Sequence, residues 1–149
     1  MGENSSVQEV IEELKKGRDL EVLLQRYRWQ SFEEFVGYIL EQHGYEVNFH
    51  VRFASARRYE IDVLARKGKV SLAIECKRWK GRSSAPGKLK EAAKLHEERT
   101  RALSRATKEN LIPVIVTLLD MDVRKLGEVF VVPIFKLNSF LLEIYEYIL

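Results

Sequence analysis

The stretch Tyr59–Trp79, "YEIDVLARKGKVSLAIECKRW", alternates apolar and polar residues on both sides of a Lys67-Gly68 pair. Period-two alternation around a short glycine-containing break reads as a β-hairpin, because successive side chains of a strand point to opposite faces. With the turn at Lys67-Gly68 and Arg66 opposite Lys69, Asp62 is expected opposite Ala73, and Glu60 opposite Glu75. Asp62 and Glu75 are then diagonal neighbours on one face, roughly 7 to 8 Å apart. Lys77 lies two residues beyond Glu75 on the same side. Tyr59, Ile61, Val63 and Ala65, with Val70, Leu72, Ile74 and Cys76, occupy the other face as an unbroken apolar surface. Cys76 stands between two charged residues yet points the opposite way. It therefore reads as a buried core thiol and not as a nucleophile.

Two readings fit the charged face. Paired carboxylates with a lysine beside them suit a hard divalent cation, which takes one or two carboxylates and several waters, while the ammonium orients a water. The plain alternative is a solvated face with a Glu-Lys pair, and the same spacing recurs at Glu13–Lys15 on a surface helix. The acids, however, flank Leu64 and Ala73, so their face is half apolar. A half-apolar face is a covered one, and covered acids need a counter-charge or a metal.

Upstream, "SFEEFVGYILEQHGY" reads as a helix with Ser31 as N-cap, Glu34 completing a capping box and Gly44 as the stop. Phe32, Phe35, Val36, Ile39 and Leu40 form its apolar stripe. Glu33 falls at the edge of that stripe, whereas Glu34 and Glu41 lie toward solvent. Gly37 costs the helix about 1 kcal/mol, which a close approach to that face would explain. Two short helices are expected before it, Val7–Lys16 and Asp19–Tyr27, broken at Gly17.

Glu46–Phe53, Tyr59–Arg66 and Lys69–Lys77 read as strands, and Pro86–Lys108 as a long helix with proline in its first turn. "LIPVIVTLL" and "EVFVVPIF" read as further strands, and "NSFLLEIYEYIL" as a helix capped by Asn138. The expected fold is α/β, a mixed central β-sheet flanked by helices. It forms one domain over 1–149, with 1–30 an N-terminal helical extension and 31–149 the core.

A chain of 149 residues with 46% hydrophobic content can build a core of its own. A single cysteine excludes an internal disulfide and a cysteine-based zinc cluster. No apolar run approaches the ~20 residues of a membrane span, and the polar N-terminus does not resemble a signal peptide, so a cytoplasmic protein is expected. The net charge of +3 conceals an asymmetry: Lys77–Lys108 holds eleven Lys or Arg against three Glu. Lys90, Lys94, Arg101, Arg105 and Lys108 form one ridge of the long helix, opposite Leu89, Ala92, Ala93, His96 and Leu103. That ridge reads equally as a phosphate-backbone surface or as a solvated face. Arg78, Lys80 and Arg82, which adjoin the acids, favour phosphate contact, and Trp79 favours packing over base stacking. His96 reads as a core histidine; His43 and His50 have no evident partner.

The ordered set of "FEEFVGYILEQHGYEV" followed by "EIDVLARKGKVSLAIECKRW" resembles the PD-(D/E)xK nuclease superfamily, especially archaeal Holliday junction resolvases and Mrr-like restriction endonucleases. The matching positions are Glu33 on a helix before Gly44-Tyr45, Asp62 on a hairpin strand, and Glu75 and Lys77 on its partner; Ile61 stands where many members carry Pro. The resemblance covers Ser31–Leu119 and implies a restriction-endonuclease-like core and a metal-dependent DNA endonuclease. It implies that Asp62, Glu75 and the backbone carbonyl of Cys76 hold Mg²⁺ or Mn²⁺. Lys77 would position the attacking water and Glu33 would assist through metal-bound water. It further implies DNA as substrate, duplex or junction, and a homodimer. The alternative is a non-catalytic DNA-binding or assembly module that keeps the fold.

Overall fold

The computed structural model describes Glu12, Lys16, Gly17 and residues 29–79 and 85–148. Of the expected helix Val7–Lys16 these residues include helical Glu12, and Lys16, whose N–H donates to the Glu12 carbonyl at 3.2 Å before the positive-φ turn at Gly17; the rest of it and the expected helix Asp19–Tyr27 lie outside the described residues. The strands are β1 Glu46–Ala54, β2 Arg58–Lys67, β3 Val70–Lys77, β4 Leu111–Thr117, β5 Lys125–Leu126 and β6 Val129–Pro133. The helices are α1 Trp29–Gln42, α2 Ala85–Thr107 and, after a 3₁₀ turn at Ile134–Lys136, α3 Leu137–Ile148. Sheet order is β1-β2-β3-β4-β6-β5. The β1–β2, β2–β3 and β5–β6 pairs are antiparallel, and β3–β4 and β4–β6 are parallel. The expected mixed sheet flanked by helices is therefore the fold, a restriction-endonuclease-like α/β core, with α2 as the crossover that two parallel neighbours require.

Side-chain parity sorts the core into two layers. Val63 and Ala65 of β2, Val70, Leu72, Ile74 and Cys76 of β3, and Val114 and Val116 of β4 pack with Phe32, Val36 and Leu40 of α1 and Leu137 and Leu141 of α3. Leu64, Ala73 and Leu111 face the other way, under Leu103 of α2, and Ile115, Val129 and Val131 join Leu89 and Ala93 of the same helix. Helices α1 and α3 thus cover one side of the sheet and α2 the other. Cys76 is fully buried on the α1 side, as its parity requires.

Several local expectations are corrected. Helix α1 already runs from Trp29, so Ser31 lies inside it and is not its N-cap. The Ser-x-x-Glu spacing marks a helix start only when the residues before it are extended, and Trp29 and Gln30 are helical. Glu34 is half-buried instead of solvent-facing. The stop at Gly44 is as expected, and in detail: Gly44, at φ +87°, donates to Glu41 and Tyr45 donates to Leu40, which together make a Schellman cap. Asn138 lies within α3 and not before it, because the 3₁₀ turn feeds the helix at Leu137. Its side chain instead accepts a 2.9 Å hydrogen bond from His43 Nε2.

The hairpin register is shifted by two. Lys67 pairs with Val70 and Val63 with Ile74, so the turn residues are Gly68 and Lys69. Gly68, at φ +58°, takes the first central position that a II′ turn reserves for glycine. Moving the turn centre by one residue changes every partner by two positions but leaves each residue on its face. Continued past Val63↔Ile74, this register sets Asp62 across from Glu75, not diagonal to it.

Candidate active site

The β2–β3 ladder ends at Val63↔Ile74. Beyond it the backbone N–H of Cys76 donates to Asp62 Oδ2 at 2.9 Å. A side-chain carboxylate has taken the place of a backbone acceptor, which puts Asp62 in the gap where the two strands part. Glu75, the next residue toward the turn on β3, faces it, close enough for the two carboxyls to perturb each other.

The gap coincides with a half-turn of the neighbouring strands. Val47 of β1 packs on the α1 side, as does Phe49 against Gly37, yet Val51 and Phe53, of equal parity, pack with the cluster under α2. Between them His50 sits at φ +51°, a left-handed conformation that reverses the facing of a strand. β2 reverses in step: Ile61 packs under α2 and Tyr59 Oη donates to Glu98 of α2, while Val63 and Ala65 stay on the α1 side. The expectation that Tyr59 and Ile61 share a face with Val63 is thus wrong, because a strict period of two assumes uninterrupted β backbone. Asp62 lies at the point of reversal.

Burial makes the acids unusual. Glu75 is 7% exposed and Glu33 2% exposed. Burial, then the hydrogen bond and charge of Asp62, push the Glu75 carboxyl up to about 7, against the opposing pull of Arg99. Arg99, on the inner flank of α2, forms an ion pair through Nη1 with Glu75 Oε2. One guanidinium therefore offsets only part of the cost of enclosing the acid pair. Glu33 reaches the same region from α1: His50 Nε2 lies 3.1 Å from its Oε2. The charges of Asp62, Glu33 and Glu75, after burial itself, push the Cys76 thiol far up. All three acids are thus near enough to Cys76 for their charges to act on it, and a thiol held neutral there is a core residue.

Lys77 is half-buried, and its ammonium lies over the Trp79 ring at 5.9 Å from the centroid. Trp79 packs against the cluster of Leu89 and Ala93, as an aromatic after a strand commonly does. His96 is fully buried, with Nε2 2.8 Å from the carbonyl of Ala73. Burial lowers its pKa to about 4, so it is a neutral donor that pins α2 to β3 two residues before Glu75. Lys90, Lys94, Arg101 and Arg105 are exposed on the side of α2 away from the sheet, and Arg101 pairs with Glu97 at 3.6 Å. Arg78 is half-buried, whereas Lys80 and Arg82 lie outside the described residues.

The acids open onto a cleft of about 410 Å³ lined by Arg57, Arg58, Tyr59, Glu60, Leu95 and Arg99 besides Asp62 and Glu75. Four of the basic or titratable groups around the acids were missed in the sequence. Arg57 and Arg58 stand five and four residues before Asp62, where their nearness to the acid was itself the signal. Arg99 lies off the basic ridge and beside the apolar stripe, the position from which a cation reaches a sheet residue. His50 is intelligible only from its backbone, which no sequence pattern announces. His50, Glu60 and Asp62 also place ligand atoms within 4.8 Å of one another.

Oxygen-rich, partly uncompensated and enclosed, the Asp62–Glu75 pair with the adjoining β3 backbone fits a hard divalent cation. The chain resembles known proteins in three respects. Residues 24–108 match the Mrr catalytic-domain model, a restriction endonuclease family, and so include Glu33, Asp62, Glu75 and Lys77. An uncharacterized protein of Archaeoglobus fulgidus is 32% identical over 122 residues, covering 81% of this chain and 95% of the relative. A crystal structure of a protein of unknown function aligns with a TM-score of 0.47 at 19% identity. That alignment covers 72% of this chain, which spans about half, 52%, of that protein's length. The chain belongs to the Mrr family of restriction endonucleases, within the PD-(D/E)xK superfamily.

Proposed function

We propose that this protein is a Mg²⁺- or Mn²⁺-dependent DNA endonuclease. The observation that carries the reading is the facing pair of half-buried Asp62 and buried Glu75 where the β2–β3 ladder opens, in a chain of a restriction endonuclease family. Asp62, Glu75 and the backbone carbonyl of Cys76 would hold the cation, which when bound stabilises negative charge on a phosphate oxygen. Lys77 orients the attacking water from the end of β3, and its charge favours the incoming phosphate. Glu33, positioned by His50, adds a third acid at the α1 side of the site. Arg78, Lys80 and Arg82 contact the phosphates next to the scissile bond, and Lys90, Lys94, Arg101 and Arg105 meet the backbone farther away.

Residues 1–149 form a single nuclease domain in this reading, and a homodimer supplies one site per strand of a duplex. No described helix is long and apolar enough to cross a membrane, in keeping with a cytoplasmic enzyme acting on DNA.

Incubation with supercoiled plasmid, linear duplex and branched DNA in Mg²⁺ or Mn²⁺ tests the proposal. Cleavage of at least one substrate is expected, with loss in Asp62→Ala and in the presence of a chelator. No cleavage of any substrate, or undiminished cleavage by Asp62→Ala, overturns it.

A further inference from the structure

The acid pair has a cationic partner that sequence patterning did not single out. Arg99 pairs with Glu75 in a site where its side chain is 21% exposed and that of Glu75 9% exposed. Solvent and salt screen such a pair less than they screen a surface ion pair. Its geometry is fixed from both sides. Glu75 is held in β3, and α2 is pinned one turn before Arg99 by His96 on the Ala73 carbonyl. Of the other two arginines that line the cleft, Arg57 pairs with Glu98 at 2.9 Å and Arg58 is exposed, while Lys77, at the end of β3, lies over Trp79.

A divalent cation at Asp62 and Glu75 needs the carboxylate oxygens that Arg99 now contacts. It would also set two positive charges beside a third in a weakly screened cleft, and like charges at that range repel strongly. A guanidinium, by contrast, recognises phosphate through the same planar fork that it offers a carboxylate. Taken with the reading of the site as a cation-dependent nuclease, on which this rests, the geometry points to an exchange. We propose that Arg99 and the divalent cation compete for Glu75, and that the arginine displaced from the carboxylate becomes a ligand of the substrate phosphate. Arg99 then couples cation uptake to DNA binding.

The sign of the effect separates this role from a structural one, since a side chain that merely supports the site weakens cation binding when removed. Mn²⁺ titration of the full chain at alkaline pH, followed by calorimetry without DNA, is expected to show about tenfold tighter binding in Arg99→Met than in the unaltered protein. That lies within the range typical of coupled sites. Arg99→Gln serves as a second variant should the methionine protein fail to fold. The converse measurement uses Glu75→Gln in a chelator: its freed arginine is expected to tighten duplex binding several-fold. Unchanged or weaker Mn²⁺ binding in both arginine variants overturns the exchange. So does a Glu75→Gln protein that binds duplex no better than the unaltered one. If Asp62→Asn binds Mn²⁺ as well as the unaltered protein, the site itself has been misread and both proposals fall.

Discussion

The two ends of the β2–β3 hairpin have similar sequences and opposite uses. Near the turn, Lys67↔Val70 through Val63↔Ile74 form a continuous ladder, and Val63, Leu72 and Ile74 are completely buried. There β2 pairs with β1 as far as Arg66 and β3 with β4 from Ser71 onward, so the strands are flanked on both sides almost to the turn. At the far end the ladder stops, a carboxylate caps the Cys76 N–H, and two acids face each other under one arginine. The closed end supplies packing energy that the open end consumes in holding like charges together. Substitutions at the two ends should therefore separate stability from activity.

The largest effect is expected at the open end. Asp62→Asn keeps an oxygen to accept from Cys76 but removes a charge from the cation site. Cleavage is expected to fall about 10³-fold, or about 4 kcal/mol of barrier. The melting temperature should hold or rise, because the repulsion of Glu75 is relieved. Plasmid cleavage and thermal melting of the same preparation check both halves. A large fall in melting temperature would make Asp62 a structural acid.

At the closed end the outcomes reverse. Ile74→Ala empties a fully buried site between α1 and the sheet and is expected to cost about 3 kcal/mol in urea unfolding. Activity per folded molecule should be retained at temperatures where the variant stays folded. Loss of activity without loss of stability would break the division between the two ends.

His96 bridges the two regimes, and pH reads its contribution. Its folded pKa, about 4, lies below the usual value, so the unfolded chain binds the proton first and stability is lost as pH falls below about 6.5. Lowering the pH from about 7 to about 5 is expected to cost about 2 kcal/mol through this residue. Glu75 works in the other direction. Its raised pKa stabilises the fold at low pH, and that contribution is lost as pH rises through about 7. The difference between the unaltered protein and His96→Leu, measured by urea unfolding across this range, isolates the histidine. Parallel curves for the two would mean that His96 is not buried neutral.

What was legible in the sequence follows from what survives local error. Parity survived: a turn centred one residue late shifts every partner by two, so Asp62, Glu75 and Cys76 kept their faces although Glu75 meets Asp62 and not Glu60. The apolar stripe of α1 placed Glu33 at the edge of the core, where it is buried, and the stripe of α2 placed His96 inward. Two kinds of information were not legible. One is a single backbone torsion, at His50, which reverses β1 and carries Tyr59 and Ile61 of β2 to the other side. The other is contact across the crossover. Arg99 reaches Glu75 from 24 residues away, and no pattern local to either residue encodes how α2 lies on the sheet.

Gly37 offers the smallest and subtlest test of the reversal at His50. A Cβ built there would lie 2.3 Å from Phe49 Cζ, so the glycine makes room for the last residue that β1 directs at α1 before it turns. The contact atom is the far end of a flexible side chain whose residue is 40% exposed, and such a ring can swing away at low cost. Alanine in place of glycine gains about 1 kcal/mol of helix propensity. The two terms nearly cancel, and Gly37→Ala is expected to change stability by well under 1 kcal/mol. Pairing it with Phe49→Ala removes the obstruction and should reveal the propensity gain as a positive coupling in a double-mutant cycle. If Gly37→Ala alone costs several kcal/mol, the ring cannot move. Phe49 would then be held as firmly as a core residue, and the facing of β1 would be set by that packing as well as by the torsion of His50.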